Sequence, residues 1–119
     1  QRPVMRAIER MGRIAAGRVS DAVDAYVGGE VEQALSVWRR DQEIDDHYES
    51  LWTELLDVMR SDPGAVGDGA HLLFIAKNLE RIGDHATNIA EIVYFEATGD
   101  EMTAERPKWS LPAAQGAVP

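Results

Sequence analysis

Apolar residues recur every three or four positions along three stretches of this 119-residue chain, and that spacing constrains the fold more than any other feature. The spacing places apolar side chains on one face of an α-helix. Gly28-Gly29 separates the first two stretches, and Ser61-Asp62-Pro63-Gly64 separates the last two. Because such segments break helices, the pattern predicts three helices, over about residues 4–27, 30–60 and 70–98.

The same spacing predicts which side chains form the core. In the first helix the core-facing residues are Val4, Ile8, Met11, Ala15, Val19, Ala22 and Tyr26. In the second they are Val37, Ile44, Tyr48, Leu51, Leu55 and Val58, with Trp38 and Trp52 at the margin. In the third they are Leu72, Ile75, Leu79, Ile82, Ala86, Ile89, Val93 and Ala97. Short connections make neighbouring helices antiparallel, so we expect an all-α, up-down-up three-helix bundle.

The ends of the third helix are marked by helix-capping and helix-breaking residues. Asp62 followed by Pro63 predicts a capped helical turn, and residues 64–69 are expected to form a flexible connection. Gly99 predicts the end of the third helix. Prolines beyond it predict one domain over residues 1–98 and an extended tail over residues 99–119, in which Trp109 is expected to dock.

Composition excludes several classes of function. The chain has no cysteine, which excludes disulfides, thiolate zinc sites and cysteine nucleophiles. No nucleophile elbow or P-loop is present, so we expect no enzymatic activity. The first 20 residues hold five arginines and one glutamate, whereas the rest holds seven basic and twenty acidic residues. A surface this negative repels nucleic acid and anionic lipid, so we expect no nucleic-acid partner. The absence of cysteine predicts a cytoplasmic protein, and the absence of an apolar run of about 20 residues predicts no membrane insertion.

Two helices carry acidic residues four positions apart, namely Asp41 with Asp45 and Glu80 with Asp84. Residues at that spacing lie one helical turn apart on one face. Asp41 falls on the apolar side of the second helix and Asp45 at its border, whereas Glu80 and Asp84 are expected on the solvent side. A carboxylate at the edge of a core needs a cation or hydrogen-bond donors.

Two interpretations of these carboxylates follow. Antiparallel packing could bring all four together as an all-oxygen site for a hard cation such as Mg²⁺, Mn²⁺, Ca²⁺ or ferric iron. Zinc prefers nitrogen or sulfur ligands, which here could come only from histidine; the two that adjoin the acidic pairs are His47 and His85. Alternatively, basic side chains neutralise the acids, and the candidates are Arg18, Arg39, Lys77 and Arg81.

Two segments resemble the PhoU family, bacterial regulators of phosphate uptake. Residues 73–91 (LFIAKNLERIGDHATNIAE) resemble the signature helix of that family, and residues 40–46 (RDQEIDD) resemble its companion acidic motif. Family members consist of two tandem three-helix bundles with metal clusters on acidic motifs. This chain has the length of one bundle, so the resemblance implies a C-terminal half or a one-bundle relative.

The resemblance implies a function as well as a fold. It implies metal binding by Asp41, Asp45, Glu80 and Asp84, with iron, manganese, magnesium or zinc as the metal. It also implies a negative regulator of phosphate uptake and of the phosphate-starvation response. The implied partners are a sensor histidine kinase, the ATPase subunit of a phosphate ABC transporter and a second copy of the chain.

Two other functions remain open, a helical interaction module without metal and a di-iron carboxylate protein. The di-iron site of helical bundles needs Glu-x-x-His on each of two helices. The residues three positions before His47, His71 and His85 are Ile44, Asp68 and Ile82, so the di-iron interpretation lacks its ligands.

The first helix also carries a basic face. Arg6, Arg10 and Arg13 fall opposite its apolar stripe, an arrangement typical of a solvated surface. If this face binds anything, we expect it to meet an acidic surface such as another copy of the domain.

Overall fold

The computed structural model describes residues 2–102 and consists of helices joined by short connections. Helix α1 spans Arg2–Gly28, α2 Val31–Arg39, α3 Asp41–Ser61 and α4 Val66–Thr98, with one 3₁₀ turn at Pro63–Ala65. Both α1 and the continuous pair α2–α3 pack against α4. The predicted all-α bundle is therefore confirmed, and its second helix is divided into α2 and α3 at Arg40. The tail beyond residue 102, including Trp109, lies outside the described residues.

The predicted helix ends are confirmed in part. Gly29 and Gly99 both have positive φ angles, 64° and 79°, which glycine adopts without a steric cost. Asp62 accepts a hydrogen bond from the backbone N–H of Gly64, as expected for a capped turn. Residues 66–69, however, belong to α4 and are not a flexible connection. A Cβ atom on Gly69 would lie 2.8 Å from Met59, so glycine lets α4 pack closely against α3 there.

The core consists of two apolar clusters, and a few polar residues are buried among them. The buried residues of the first cluster are Val4, Ile8, Met11, Ala15, Ile44, Leu51, Leu55 and Ala76. Those of the second cluster are Ala22, Ala25, Ala34, Val37, Trp38, Ala86, Ala90 and Val93. The buried polar side chains are Arg18, Asp41, Asp45 and Thr87. On α1, for example, Arg18 falls between Ala15 and Ala22.

The core face of α4 agrees with the predicted one in part, since Ala86 and Val93 are buried and Leu72, Leu79 and Ile89 pack against the core. Ile75 and Ile82, which were expected in the core, are 46% and 41% exposed. Small residues outside the predicted stripe, namely Ala76, Gly83 and Ala90, are buried as well. A Cβ atom on Gly83 would lie 3.1 Å from Ile44 Cγ2. Small residues allow the helices to approach closely, and the larger apolar residues are then turned outward.

Two aromatic predictions were also wrong. Tyr26, expected in the core of α1, is 60% exposed, and Ala25 is buried in its place. The two tryptophans expected at the margin separate, because Trp38 is buried in the second cluster whereas Trp52 is 44% exposed. Helical spacing alone therefore does not decide whether a large aromatic residue near the edge of an apolar stripe is buried or exposed.

Within residues 2–102, no helix is long and apolar enough to cross a membrane.

Candidate functional site

An open cleft lies between α3 and α4 where three of the four predicted ligands meet. Its volume is about 680 Å³, within the size range of small-molecule sites. Its lining residues are Asp45, Tyr48, Glu49, Trp52, Lys77, Glu80 and Asp84. We refer to this set as the acidic cleft, because it holds four carboxylates and one ammonium group.

Helix α4 presents Glu80 and Asp84 to this cleft and not to open solvent, contrary to the expectation from the helical spacing. The side chain of Glu80 is only 12% exposed, and Asp84 is half-buried. This orientation of Glu80 and Asp84 follows from the core face of α4. Because Gly83 faces α3 in the packed bundle, its neighbours along the helix are turned to the side that α3 partly covers.

Lys77 is the cation of the acidic cleft. Its ammonium donates a hydrogen bond to Glu80 Oε1 at 2.7 Å and lies 5.5 Å from the ring centroid of Tyr48. The pKa of Lys77 is raised, first by the hydrogen bond to Glu80 and further by the charge of Asp84, against the opposing effect of burial. The predicted pairing of Lys77 with Glu80 is therefore present, and the cleft stabilises a positive charge.

Asp41, the fourth predicted ligand, is fully buried and is not among the residues that line the acidic cleft. Its Oδ1 accepts a hydrogen bond from Thr87 Oγ1 at 2.6 Å, and the same hydroxyl lies 3.2 Å from the carbonyl oxygen of Gly83. The Asp41–Thr87 hydrogen bond therefore joins α3 to α4 beside the cleft. Metal ligation by Asp41 stays a prediction.

Arg18 provides the buried positive charge near Asp41. Burial lowers the pKa of Arg18, whereas its hydrogen bond to Glu43 and the charges of Glu43 and Asp41 act in the opposite direction. The guanidinium is 3% exposed and pairs with Glu43, whose side chain is half exposed. Since an arginine remains charged in proteins, Arg18 supplies a fixed cation, and the salt bridge that it forms is with Glu43, which is not one of the four predicted ligands.

The histidines lie away from the acidic cleft. His47 faces a groove between α1 and α3 with Arg6 and Arg10, and His85 is exposed on α4. Glu49, which sequence reasoning missed, does line the cleft. The signal was present, because Glu49 extends the four-residue spacing of Asp41 and Asp45 by one more turn.

The carboxylates of the cleft offer hard oxygen ligands, the kind that Mg²⁺, Mn²⁺ and Ca²⁺ prefer. Among residues 2–102, however, no three aspartate, glutamate or histidine side chains lie close enough to hold one metal ion together. The donor chemistry therefore fits a hard cation, whereas the spacing of the side chains requires them to move inward around it. Zinc fits poorly, because no histidine lines the cleft.

Thr87→Val tests whether the Asp41–Thr87 hydrogen bond stabilises the bundle. Valine has nearly the shape of threonine but no hydroxyl, so buried Asp41 loses one donor. We expect the free energy of unfolding to fall by about 1–3 kcal/mol. Thr87→Ser, which keeps the hydroxyl, should restore the part due to the hydrogen bond. Urea denaturation of the three proteins measures this, and equal midpoints for the two variants would contradict the expectation.

Comparison with known proteins identifies the family. The PhoU domain model matches residues 8–93. The chain is 55% identical over 103 residues to the phosphate-specific transport system accessory protein PhoU homolog of Caulobacter vibrioides (strain NA1000 / CB15N), covering 87% of this chain and 45% of that protein. It is 44% identical to the homolog of Rhizobium meliloti (strain 1021), covering 98% and 49%.

A more distant relative is the phosphate-specific transport system accessory protein PhoU of Escherichia coli (strain K12), which is 28% identical over 99 residues. That match covers 83% of this chain and 41% of the relative. No solved structure matches the chain at a significant level. The chain spans about half the length of the curated relatives it matches. Because the family model matches residues 8–93 and the relatives align with most of its length, the chain belongs to the PhoU family.

Proposed function

We propose that the chain is a non-catalytic regulatory module of phosphate uptake that acts in the cytoplasm by docking onto partner proteins through the acidic cleft. The support for phosphate uptake is membership of the PhoU family and the names of the relatives, which describe accessory proteins of phosphate-specific transport. The proposed partners are a sensor histidine kinase and the ATPase subunit of a phosphate ABC transporter, and the proposed effect is negative regulation.

The observation that carries the docking proposal is the charge of the acidic cleft. Four carboxylates face one ammonium group there, and the net charge of the chain is -9. A concentrated negative field attracts basic surfaces and orients them on approach. Tyr48 and Trp52 add aromatic walls, on which an arginine side chain of a partner can stack.

Metal binding forms the second part of the proposal. Asp45, Glu80 and Asp84, with Glu49 as a further candidate, would hold a hard cation such as iron, manganese or magnesium. A bound cation would supply positive charge that joins the carboxylates of α3 to those of α4. Asp41 and Thr87 would then hold the two helices in register from the buried side.

A metal-free docking surface is the second candidate function. It is favoured by the pairing of Lys77 with Glu80 at 2.7 Å and by the spacing of the carboxylates in the described residues. In this alternative Lys77 neutralises part of the cleft permanently, and the exposed Glu49 and the half-buried Asp84 contact the partner directly. The di-iron carboxylate interpretation has no comparable observation in its favour, since the histidines lie away from the cleft.

Partner binding by a cleft variant tests the proposal. We expect Asp45→Asn combined with Asp84→Asn to weaken binding to the purified kinase or ATPase subunit by about tenfold, equivalent to about 1.4 kcal/mol. The physical reason is the loss of two of the four negative charges that attract a basic partner surface. Isothermal titration calorimetry, with and without Mn²⁺, measures the change.

The matched control replaces two exposed aspartates outside the cleft, Asp24→Asn with Asp57→Asn, which alters the net charge equally. We expect this control to bind like the wild type. If both double variants weaken binding equally, net charge and not the cleft is responsible. If the wild type binds neither protein, the proposed partners are wrong.

A further inference from the structure

A groove between α1 and α3 concentrates basic side chains in an otherwise acidic molecule. Its volume is about 390 Å³, and its polar lining residues are Arg6, Arg10, His47, Ser50 and Glu54. We call these five residues the basic groove. Two guanidinium groups face one carboxylate there, whereas the chain as a whole has a net charge of -9. A groove whose charge is opposite to that of the molecule indicates an anionic ligand.

The hydrogen-bond donors of the basic groove are not used inside the bundle. Within residues 2–102, its two arginines form no ion pair. The side chains of His47 and Ser50 likewise form no hydrogen bond with that part of the chain. Arg18, on the same helix as the two arginines, is instead buried and paired with Glu43. The donors of the basic groove are therefore available to a ligand.

The antiparallel register of α1 and α3 places donors from both helices together. The ion pair of Arg18 with Glu43 fixes this register at one point. Two helical turns farther along each helix, Arg10 of α1 lies level with Ser50 of α3. Glu54 lies one more turn along α3, toward the far end of the groove. The end of the groove around Arg10 is therefore the positive one.

The arginines of the basic groove suit a phosphate group. Arg6 and Arg10 lie one turn apart on one face of α1, so their Cβ atoms are about 5–6 Å apart. Both guanidinium groups can therefore reach one anion, and each can donate two parallel hydrogen bonds to it. A phosphate group carries a charge of about -1.5 to -2 at pH 7 and has three acceptor oxygens. A single carboxylate has half that charge and would leave one arginine without a counter-ion.

We propose that the basic groove binds a phosphate group, either free orthophosphate or the phosphoryl group of a small phosphate monoester. Arg6 and Arg10 hold the anion from α1. From α3, the hydroxyl of Ser50 and the ring N–H of His47 donate to the oxygens that the arginines leave. The volume of the groove is within the range of small-molecule sites. Both arginines are exposed, so the ligand enters directly from solvent.

The acidic cleft does not prevent an anion from binding in the basic groove. The cleft is lined by Asp45 and Glu49 of α3 and the groove by His47 and Ser50, which lie on roughly opposite faces at 100° per residue. A helix with its side chains is about 10–12 Å across, whereas charges are screened beyond about 8 Å at physiological ionic strength. The proposal therefore does not depend on what the acidic cleft binds.

Titration with orthophosphate, followed by the amide signals in heteronuclear NMR spectra of the full chain, tests the site. We expect the signals of Arg10, His47 and Ser50 to shift and to saturate with a Kd on the order of 1 mM. Arg10→Gln should weaken binding at least about tenfold, because charge-assisted hydrogen bonds are lost. Glu54→Gln should strengthen binding by about two- to fivefold, because a repelling charge is removed.

The matched control is Arg81→Gln, at an exposed position of α4 outside the groove. It changes the net charge as Arg10→Gln does and should bind phosphate like the wild type. Circular dichroism should show equal helix content in all variants, because the replaced side chains are exposed. Equal weakening by Arg10→Gln and Arg81→Gln would overturn the proposal, because net charge and not the groove would then govern binding.

Further probes identify the source of the phosphate group. Tighter binding of phosphoserine than of orthophosphate would identify a monoester as the ligand, and equal or weaker binding would identify free phosphate. Titrations with and without Mg²⁺ should agree. Shifts that require Mg²⁺ and occur at Asp84 would place the anion on a cation in the acidic cleft and contradict the proposal. A groove that responds to a glutamate-rich peptide but not to phosphate would contradict it too, and would be a docking surface for an acidic protein.

Discussion

Replacing Ile44 with alanine is expected to lower the free energy of unfolding by about 2–5 kcal/mol. Ile44 is fully buried in the first apolar cluster, and its Cγ2 would lie 3.1 Å from a Cβ on Gly83. Truncation removes the apolar group that fills the space between α3 and α4, and the neighbouring Gly83 has no side chain to occupy the cavity. Thermal or urea denaturation monitored by circular dichroism gives the change.

Two controls separate cavity formation from other causes. Ile44→Val removes one methyl group and should cost about 0.5–1.5 kcal/mol, so the loss should increase with the volume removed. Val66→Ala, at an exposed position of α4, should change stability by no more than about 0.5 kcal/mol. An Ile44→Ala protein as stable as Val66→Ala would show that α3 and α4 do not pack through Ile44.

The sequence was sufficient to predict the all-α bundle, since helical periodicity depends on local geometry. In α1 the buried residues Val4, Ile8, Met11 and Ala15 are those expected from the stripe. The first half of this helix has large apolar residues on one side and Arg6, Arg10 and Arg13 on the other, so its two faces are unambiguous. Periodicity alone is enough where polar and apolar residues are clearly separated.

Helix α4 shows where that reasoning fails. It has apolar residues on two faces, one made of small residues such as Ala76 and Gly83 and one made of larger residues such as Ile75 and Ile82. The sequence pattern favours the face with the larger residues as the core face, whereas in the packed bundle close approach of the helices buries small residues such as Ala76 and Gly83. That choice depends on contacts between helices distant in sequence, which one sequence does not display. The division of the second helix at Arg40 was not predicted either.

The candidate site was predictable to a similar extent. The four-residue spacing indicated which carboxylates share a helix face, and three of the four predicted ligands line one cleft. Whether a carboxylate faces the cleft or the core depends on helix rotation. Asp41 is consequently turned to Thr87, whereas Glu49, one helical turn beyond Asp45, lines the cleft.

Metal addition is expected to raise the melting temperature of the wild-type chain if the acidic cleft binds a cation. A ligand that binds only the folded state stabilises it by about 2.7 kcal/mol at a hundredfold excess over its Kd, which corresponds to a shift on the order of 10 °C for a domain of this size. Asp84→Ala should abolish most of this shift, because one carboxylate is lost. Without metal, Asp84→Ala should be as stable as the wild type or slightly more so, because repulsion within the cleft is relieved.

Lys77→Met makes the test sharper, because the ammonium of Lys77 competes with any cation for Glu80. Its removal should increase the metal-induced shift, whereas Asp57→Ala, outside the cleft, should leave the shift unchanged. Thermal melts with chelator and with Mn²⁺, Fe³⁺ or Mg²⁺ compare the four proteins. If Lys77 and the other basic residues satisfy the carboxylates instead, Asp84→Ala should be neutral or mildly destabilising and insensitive to metal. A wild-type melting temperature unaffected by every cation would exclude the metal site and leave the acidic cleft as a docking surface.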